Sequence, residues 1–317
     1  MEHIKGKQDL SQLPDDLGTL LTDIQLAFNQ SFAVSRSSMA ELGHPLVLHL
    51  DYLDSEKESA HAFESGGLHF IGITIPLVER LRDSAERLVT AEKVIALLGL
   101  SRNSLQRHNA IGGIFSVKLL FVAAHEFGHH LWGHTSDFRP EQWNNVEGSA
   151  GKGSLEQQAE ENLADGYAVF LALGSLIGGP QGRQVLEMLG HGATAQPESD
   201  TILMSTLLLS AFSFFSGRSH ETLDAKSLYT RSHPPAFARV NGIIQTARVW
   251  CQRYSPFLDS WLTQGRLEDI MNAEESSRPG SEGLWARQIE FFMSPDGAQY
   301  FERLGEQLSR ITPPGTL

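Results

Sequence analysis

The chain has 317 residues, a formal net charge of −13, a hydrophobic fraction of 41% and a charged fraction of 20%. This is the make-up of an ordinary globular protein, long enough to bury a substantial core as one large domain or two smaller ones. The acidic excess argues against nucleic acid or an anionic membrane surface as a main partner.

The first residues, from Met1 to Asp9, lack the apolar core of a signal peptide, and Cys251 is the only cysteine. An internal disulfide is therefore excluded, and a cytoplasmic protein is expected. Pro14-Asp15-Asp16 starts an amphipathic helix over 14–30, with Leu17, Leu20, Leu21, Ile24 and Phe28 at helical spacing. Residues 45–50 read as a short strand. After Gly66-Gly67, residues 68–75 read as a second strand rich in β-branched side chains. A helix is predicted over 77–99, and a buried one over about 111–133.

Residues 135–154 form a long turn-like stretch that is either a surface loop or a lid. Helices follow over 155–176, near 183–190 and over 201–215. Thr201 to Gly217 has no charge and approaches the lower length limit of a membrane span. Its serines and threonines and its lack of basic flanks favour a core helix, so no stable membrane insertion is expected. Two helices fill 236–273, residues 275–283 resemble a linker, and a C-terminal amphipathic helix spans 284–310. The expected class is α+β, mainly helical, with a small sheet before the 111–133 helix. The expected domains are 1–274, the 275–283 linker and a 284–317 helical segment.

The 111–133 helix ends in AAHEFGHHLWGH, which carries His125, Glu126, His129 and His134. Histidines four apart share a helix face, the spacing that aims two imidazoles at one zinc ion. A glutamate directly after the first histidine then stands beside the ion, where it can take a proton from water. This HExxH pattern is the signature of a zinc metallopeptidase.

A catalytic zinc usually takes a third protein ligand, and His130, His134, Glu156, Glu160 and Glu161 all follow closely. His130 projects about 100° from His129 and so cannot reach the same ion. His134 lies about two and a half turns beyond His125 and points away. Thr135 stands where the HExxHxxGxxH pattern needs a histidine, which excludes that class. On the 155–176 helix, Glu161 and Asp165 form a carboxylate pair at i, i+4 within an otherwise apolar face. Glu161 can ligate the ion while Asp165 holds the far nitrogen of a ligand histidine. Position alone leaves open the alternative that both carboxylates face solvent, as Glu156 and Glu160 are expected to do.

The ordered set HExxHxxxxH (His125, Glu126, His129, His134), ExxxD (Glu161, Asp165) and HPxxxxR (His233, Pro234, Arg239) resembles the gluzincin metallopeptidases related to HtpX and the CAAX prenyl endopeptidases. The resemblance covers roughly residues 45–245. It implies a gluzincin-like zinc peptidase fold, one catalytic Zn2+ held by His125, His129 and Glu161, and Asp165 as the partner of a ligand histidine. His134 is a marker of the pattern outside the ligand set. His233 and Arg239 are implied to line the cleft and stabilise the transition state, and the strand after Gly66-Gly67 to be a substrate-edge strand. Membrane members of this family carry several spans that are not expected here, so a soluble, minimal type is implied. The motifs are also similar to those of Lit-type phage-exclusion proteases.

The expected activity is hydrolysis of a protein or peptide substrate, with Glu126 as general base and later as proton donor to the leaving amine. A zinc-binding regulatory module without proteolytic activity, a non-peptidic amide hydrolase and a Lit-like protease with one cytosolic target are the alternatives. The remaining histidines, among them His44, His49, His61, His69 and His108, have no mutual spacing that suggests a second metal.

Overall fold

The computed structural model describes residues 6–41, 48–65, 68–132, 136–137, 153–217 and 223–312; at 27, 30–41, 136–137 and 225–226 it describes the backbone alone. Gly66, Gly67, His134 and nearly all of the 135–154 stretch lie outside the described residues. The fold is mainly helical with a small mixed sheet, an α+β arrangement. The chain divides into two units. Unit 1 holds Met1–Arg80 and Glu126–Ala150, and unit 2 holds Leu81–His125 and Gly151–Leu317.

In unit 1, α1 (Asp15–Glu41) is followed by the strands β2 (Leu48–Asp54), β3 (Ala60–Ser65) and β4 (Leu68–Thr74). With the two-residue strands β1 (Gly6–Lys7) and β5 (Ser136–Asp137), the described strands form a sheet in the order β1-β2-β4-β3-β5. Leu48, Leu50 and Tyr52 recur at the two-residue period of a strand and are buried. From α1, Gln25 donates to the Leu50 carbonyl at 2.7 Å and to Asp51 at 2.8 Å. Strand β3 has few β-branched residues, and its sequence alone does not announce it. Its register against β4, with Phe63 opposite Phe70 and Glu64 opposite His69, is what makes it a strand.

One expectation is corrected here. β4 is an inner strand, paired in parallel with β2 and antiparallel with β3. Its backbone groups are already used on both sides, so it is not a substrate-edge strand and cannot accept an added peptide.

The chain continues through α2 (Ile75–Thr90), α3 (Glu92–Leu98) and α4 (Ser104–Leu131). The helix expected over 77–99 is broken because Ala91 adopts an extended conformation between α2 and α3. Asn103 accepts from the Leu105 amide at 2.9 Å, which starts α4 earlier than its apolar pattern suggests.

Unit 2 adds α5 (Leu155–Ile177), α6 (Pro180–Leu189), α7 (Glu198–Ser216) and a single turn, α8 (Ala225–Leu228). Then come α9 (Ala236–Tyr254), α10 (Pro256–Trp261), α11 (Gln264–Ser276), α12 (Leu284–Phe292) and α13 (Pro295–Ile311). Ser154 caps α5 with a reciprocal Ser154–Gln157 pair, so the helix start is fixed by side chains on both sides of it. The expected C-terminal helix is two helices, because Ser294 caps a new start at Pro295.

By length and composition α4 and α7 could each cross a membrane, and the bent α5–α6 pair would make a third span. Protein covers 78% of the apolar window of α4 and 83% of that of α7. Lys118, inside the apolar run of α4, is fully buried and donates to Ser84 Oγ at 3.2 Å, to the Ser210 carbonyl and to Ser213 Oγ.

Helix α5 packs on α9 and on α13. At the α5–α9 contact a Cβ on Gly242 would come within 2.7 Å of the Asn162 amide, and one on Gly166 within 3.0 Å of Thr246 Oγ1. Glycine at these points lets the two helices approach closely enough for Asp165 and Arg239 to meet. Residues 277–283 turn back onto the end of α11. There Ser281 Oγ donates to the Glu275 and Arg278 carbonyls, and Trp285 Nε1 donates to Glu274 at 2.9 Å.

Candidate metal centre

His125, Glu126 and His129 stand on one continuous helix, α4. His125 and His129 are one turn apart, and Glu126 is buried at 8% exposure. Helix α5 carries Glu161 and Asp165, again one turn apart. One ligand atom from each of His125, His129 and Glu161 lies within 4.8 Å of the others.

The two nitrogens of His125 have different neighbours. Nε2 is 3.5 Å from Glu161 Oε2, and Nδ1 is 2.9 Å from Asp165 Oδ1. Two donors held tetrahedrally on one zinc at about 2.0–2.1 Å stand about 3.4 Å apart, so the Nε2–Glu161 separation suits a shared ion. Asp165 on the other nitrogen is the carboxylate partner that orients ligand histidines in zinc sites.

Burial opposes charge on His125, but the carboxylates of Asp165 and Glu161 outweigh it and push the imidazole up to about 10. Burial likewise opposes ionisation of Asp165, and here Arg239 and His125 outweigh it and hold the carboxyl below its ordinary range. The metal-free centre is therefore a buried imidazolium between two carboxylates. A divalent cation replacing that proton would meet the same negative charge.

Arg239 reaches the two carboxylates from α9. Its guanidinium is buried and makes two hydrogen bonds to Asp165, from Nε at 2.6 Å and Nη2 at 2.7 Å. It also lies 3.2 Å from Glu161 Oε2 and 4.3 Å above the Phe215 ring. Arg239 holds the two carboxylates in place.

His233 stands apart from that arrangement. Its side chain is 53% exposed, with Nε2 at 3.7 Å from Glu161 Oε2 and Nδ1 at 2.9 Å from Ser232 Oγ. It is the half of the HPxxxxR motif that faces solvent beside the ligand group.

The other candidates fall elsewhere. Glu156 is exposed, Glu160 is half-buried, and neither belongs to the ligand group. His130 faces away from that group and takes part in a second one, with Glu64 and His69. Burial pushes His130 down to about 4, so its ring is neutral at pH 7. Sequence spacing could not reveal this second group, because its members come from two strands and a distant helix. Also unannounced in the sequence is Gln158, fully buried on α5, which donates to the Leu228 and Arg231 carbonyls at 2.7 and 2.9 Å. Searches of family models, curated proteins and solved structures find no match to the chain.

Proposed function

We propose that the chain is a soluble, cytoplasmic zinc-dependent metalloendopeptidase of the gluzincin type, acting on a protein or peptide substrate. The observation that carries this reading is the convergence of His125, His129 and Glu161 within 4.8 Å, with Glu126 on the same helix. Two imidazoles and a carboxylate are the donor set of a catalytic zinc with an open position. When bound, zinc would supply Lewis-acid polarisation of the scissile carbonyl and lower the pKa of water toward about 7.

The chain's own residues do the rest. Glu126 accepts the proton of the attacking water and returns it to the leaving amine. Asp165 fixes the Nδ1 side of His125, which turns Nε2 toward Glu161 and the ion. Arg239 holds Asp165 and Glu161 as paired carboxylates in a buried setting. His233 would donate to the oxyanion of the tetrahedral intermediate, a contribution commonly worth about 3–4 kcal/mol.

One observation favours a second reading. His233 Nε2, at 3.7 Å from Glu161, is close enough for modest movement to make it a fourth ligand, and a closed site would be structural. The test is zinc content and peptide cleavage by wild type, Glu126→Gln and His233→Ala. The hydrolytic reading expects full zinc content in all three, and loss of cleavage by about 10²–10⁴ in Glu126→Gln. Equal cleavage by wild type and Glu126→Gln overturns it, and loss of zinc in His233→Ala moves the site to the closed class.

A further inference from the structure

A second group of metal-ligating side chains lies wholly within unit 1. Glu64 and His69 are directly opposite one another on β3 and β4, and His130 is on the last turn of α4. One ligand atom from each lies within 4.8 Å of the others. The Phe70 carbonyl, next along β4, lies 2.8 Å from His130 Nε2. A carbonyl only accepts, so Nε2 carries a proton and Nδ1 is the nitrogen left to meet an ion. His130 is 6% exposed, and its Nδ1 is buried with no hydrogen-bond partner. His69 Nδ1 is also buried and hydrogen-bonds to nothing, although it lies 3.2 Å from Glu64 Oε1.

The geometry matches what an ion would require. Tetrahedral donors on one zinc stand about 3.4 Å apart, close to the His69–Glu64 separation. Two imidazoles on such an ion would have ring centres about 5.2 Å apart. The His69 and His130 rings are 5.1 Å apart and nearly perpendicular. A ligand histidine that donates its far N–H to a backbone carbonyl, as His130 does to Phe70, is the usual support of a metal site. Glu64, at 38% exposure, leaves a route in from solvent.

We propose that Glu64, His69 and His130 form a second binding site for a borderline first-row divalent cation such as zinc. Two nitrogens and one carboxylate favour zinc over magnesium or calcium, which take oxygen ligands. A bound ion would clamp the β3–β4 hairpin to the end of α4. The proposal does not depend on the peptidase reading.

The test is titration of the metal-stripped full chain with Zn2+ against a chromophoric chelator. Wild type is expected to take up two equivalents. His69→Asn, Glu64→Gln and His125→Ala are each expected to take up one, and His69→Asn combined with His125→Ala none. The two hairpin substitutions are used because His130 also bonds the strand, and its loss could unfold the site. If His69→Asn and Glu64→Gln both retain two equivalents, or wild type binds a single ion that His125→Ala removes, the second site does not exist. An ion that survives in His125→Ala and is lost with His69→Asn supports the second site whatever the catalytic role of the first.

Discussion

Arg239 grips Asp165 through two hydrogen bonds, and Asp165 in turn faces His125 Nδ1 at 2.9 Å. The three residues form a buried relay from α9 through α5 to α4, ending on the ring that would bind the ion. Replacing Arg239 by Met takes from Asp165 the cation that makes two hydrogen bonds to it, and breaking a buried pair in this way costs about 3–5 kcal/mol. Asp165→Asn keeps the shape but loses the charge that orients His125, and such partners are worth about 10–100-fold in metal affinity. Thermal unfolding of the metal-free variants and zinc titration check both. Unchanged zinc affinity in Asp165→Asn would remove the carboxylate from the metal centre.

The same relay sets a pH dependence. The His125 ring is pushed up to about 10 in the folded, metal-free chain, against an ordinary value near 6.5. Its contribution to stability is therefore fully present below about pH 6.5 and lost as pH rises toward about 10. Metal must displace that proton. Zinc affinity is expected to rise about tenfold per pH unit between about pH 7 and 9, with about one proton released from the ring on binding. Calorimetry in buffers of different ionisation heat measures the release. Zinc binding without proton release at pH 8 would contradict the imidazolium.

Local pattern carried much of what the sequence revealed. His125, Glu126 and His129 lie within one turn and a half of one helix, so their shared face follows from helical geometry alone. Glu161 and Asp165 are likewise an i, i+4 pair, although only folding shows that they face His125 and not solvent. What the sequence hid is non-local. The resemblance implied that β4 is an edge strand, and β3, whose weak strand propensity conceals it, pairs with β4 and makes it an inner one. The close α5–α9 contact at Gly242 that brings Arg239 to Asp165 leaves no trace in the motif. Glu64, His69 and His130 meet through a hairpin and a helix end, which no spacing rule connects.

The ligand assignment separates adjacent residues. Glu161 belongs to the ligand group, whereas Glu160 is half-buried and outside it. Glu161→Ala is expected to lower zinc affinity by at least about 100-fold, and Glu160→Ala to leave it within about threefold of wild type. Equilibrium dialysis with a zinc chelator measures both. The reverse result would turn α5 by one residue relative to α4.

Tyr300 on α13 donates to Gln158 Oε1 at 2.6 Å, and Gln158 uses its amide hydrogens to hold the Leu228 and Arg231 carbonyls. Gln158 thereby ties the C-terminal helix to the segment that leads into His233, and both side chains are fully buried. Tyr300→Phe leaves Oε1 without its donor, at a cost of about 1–3 kcal/mol. Gln158→Leu orphans two backbone carbonyls and is expected to cost more, and to loosen His233 without touching the ligands. If the peptidase reading holds, Gln158→Leu should lower kcat while zinc content stays at the wild-type level. Tyr300→Phe should lower Tm by a few degrees, at about 2–4 °C per kcal/mol for a chain of this size. Loss of zinc together with activity in Gln158→Leu would place the damage in α5 itself and not in the His233 segment.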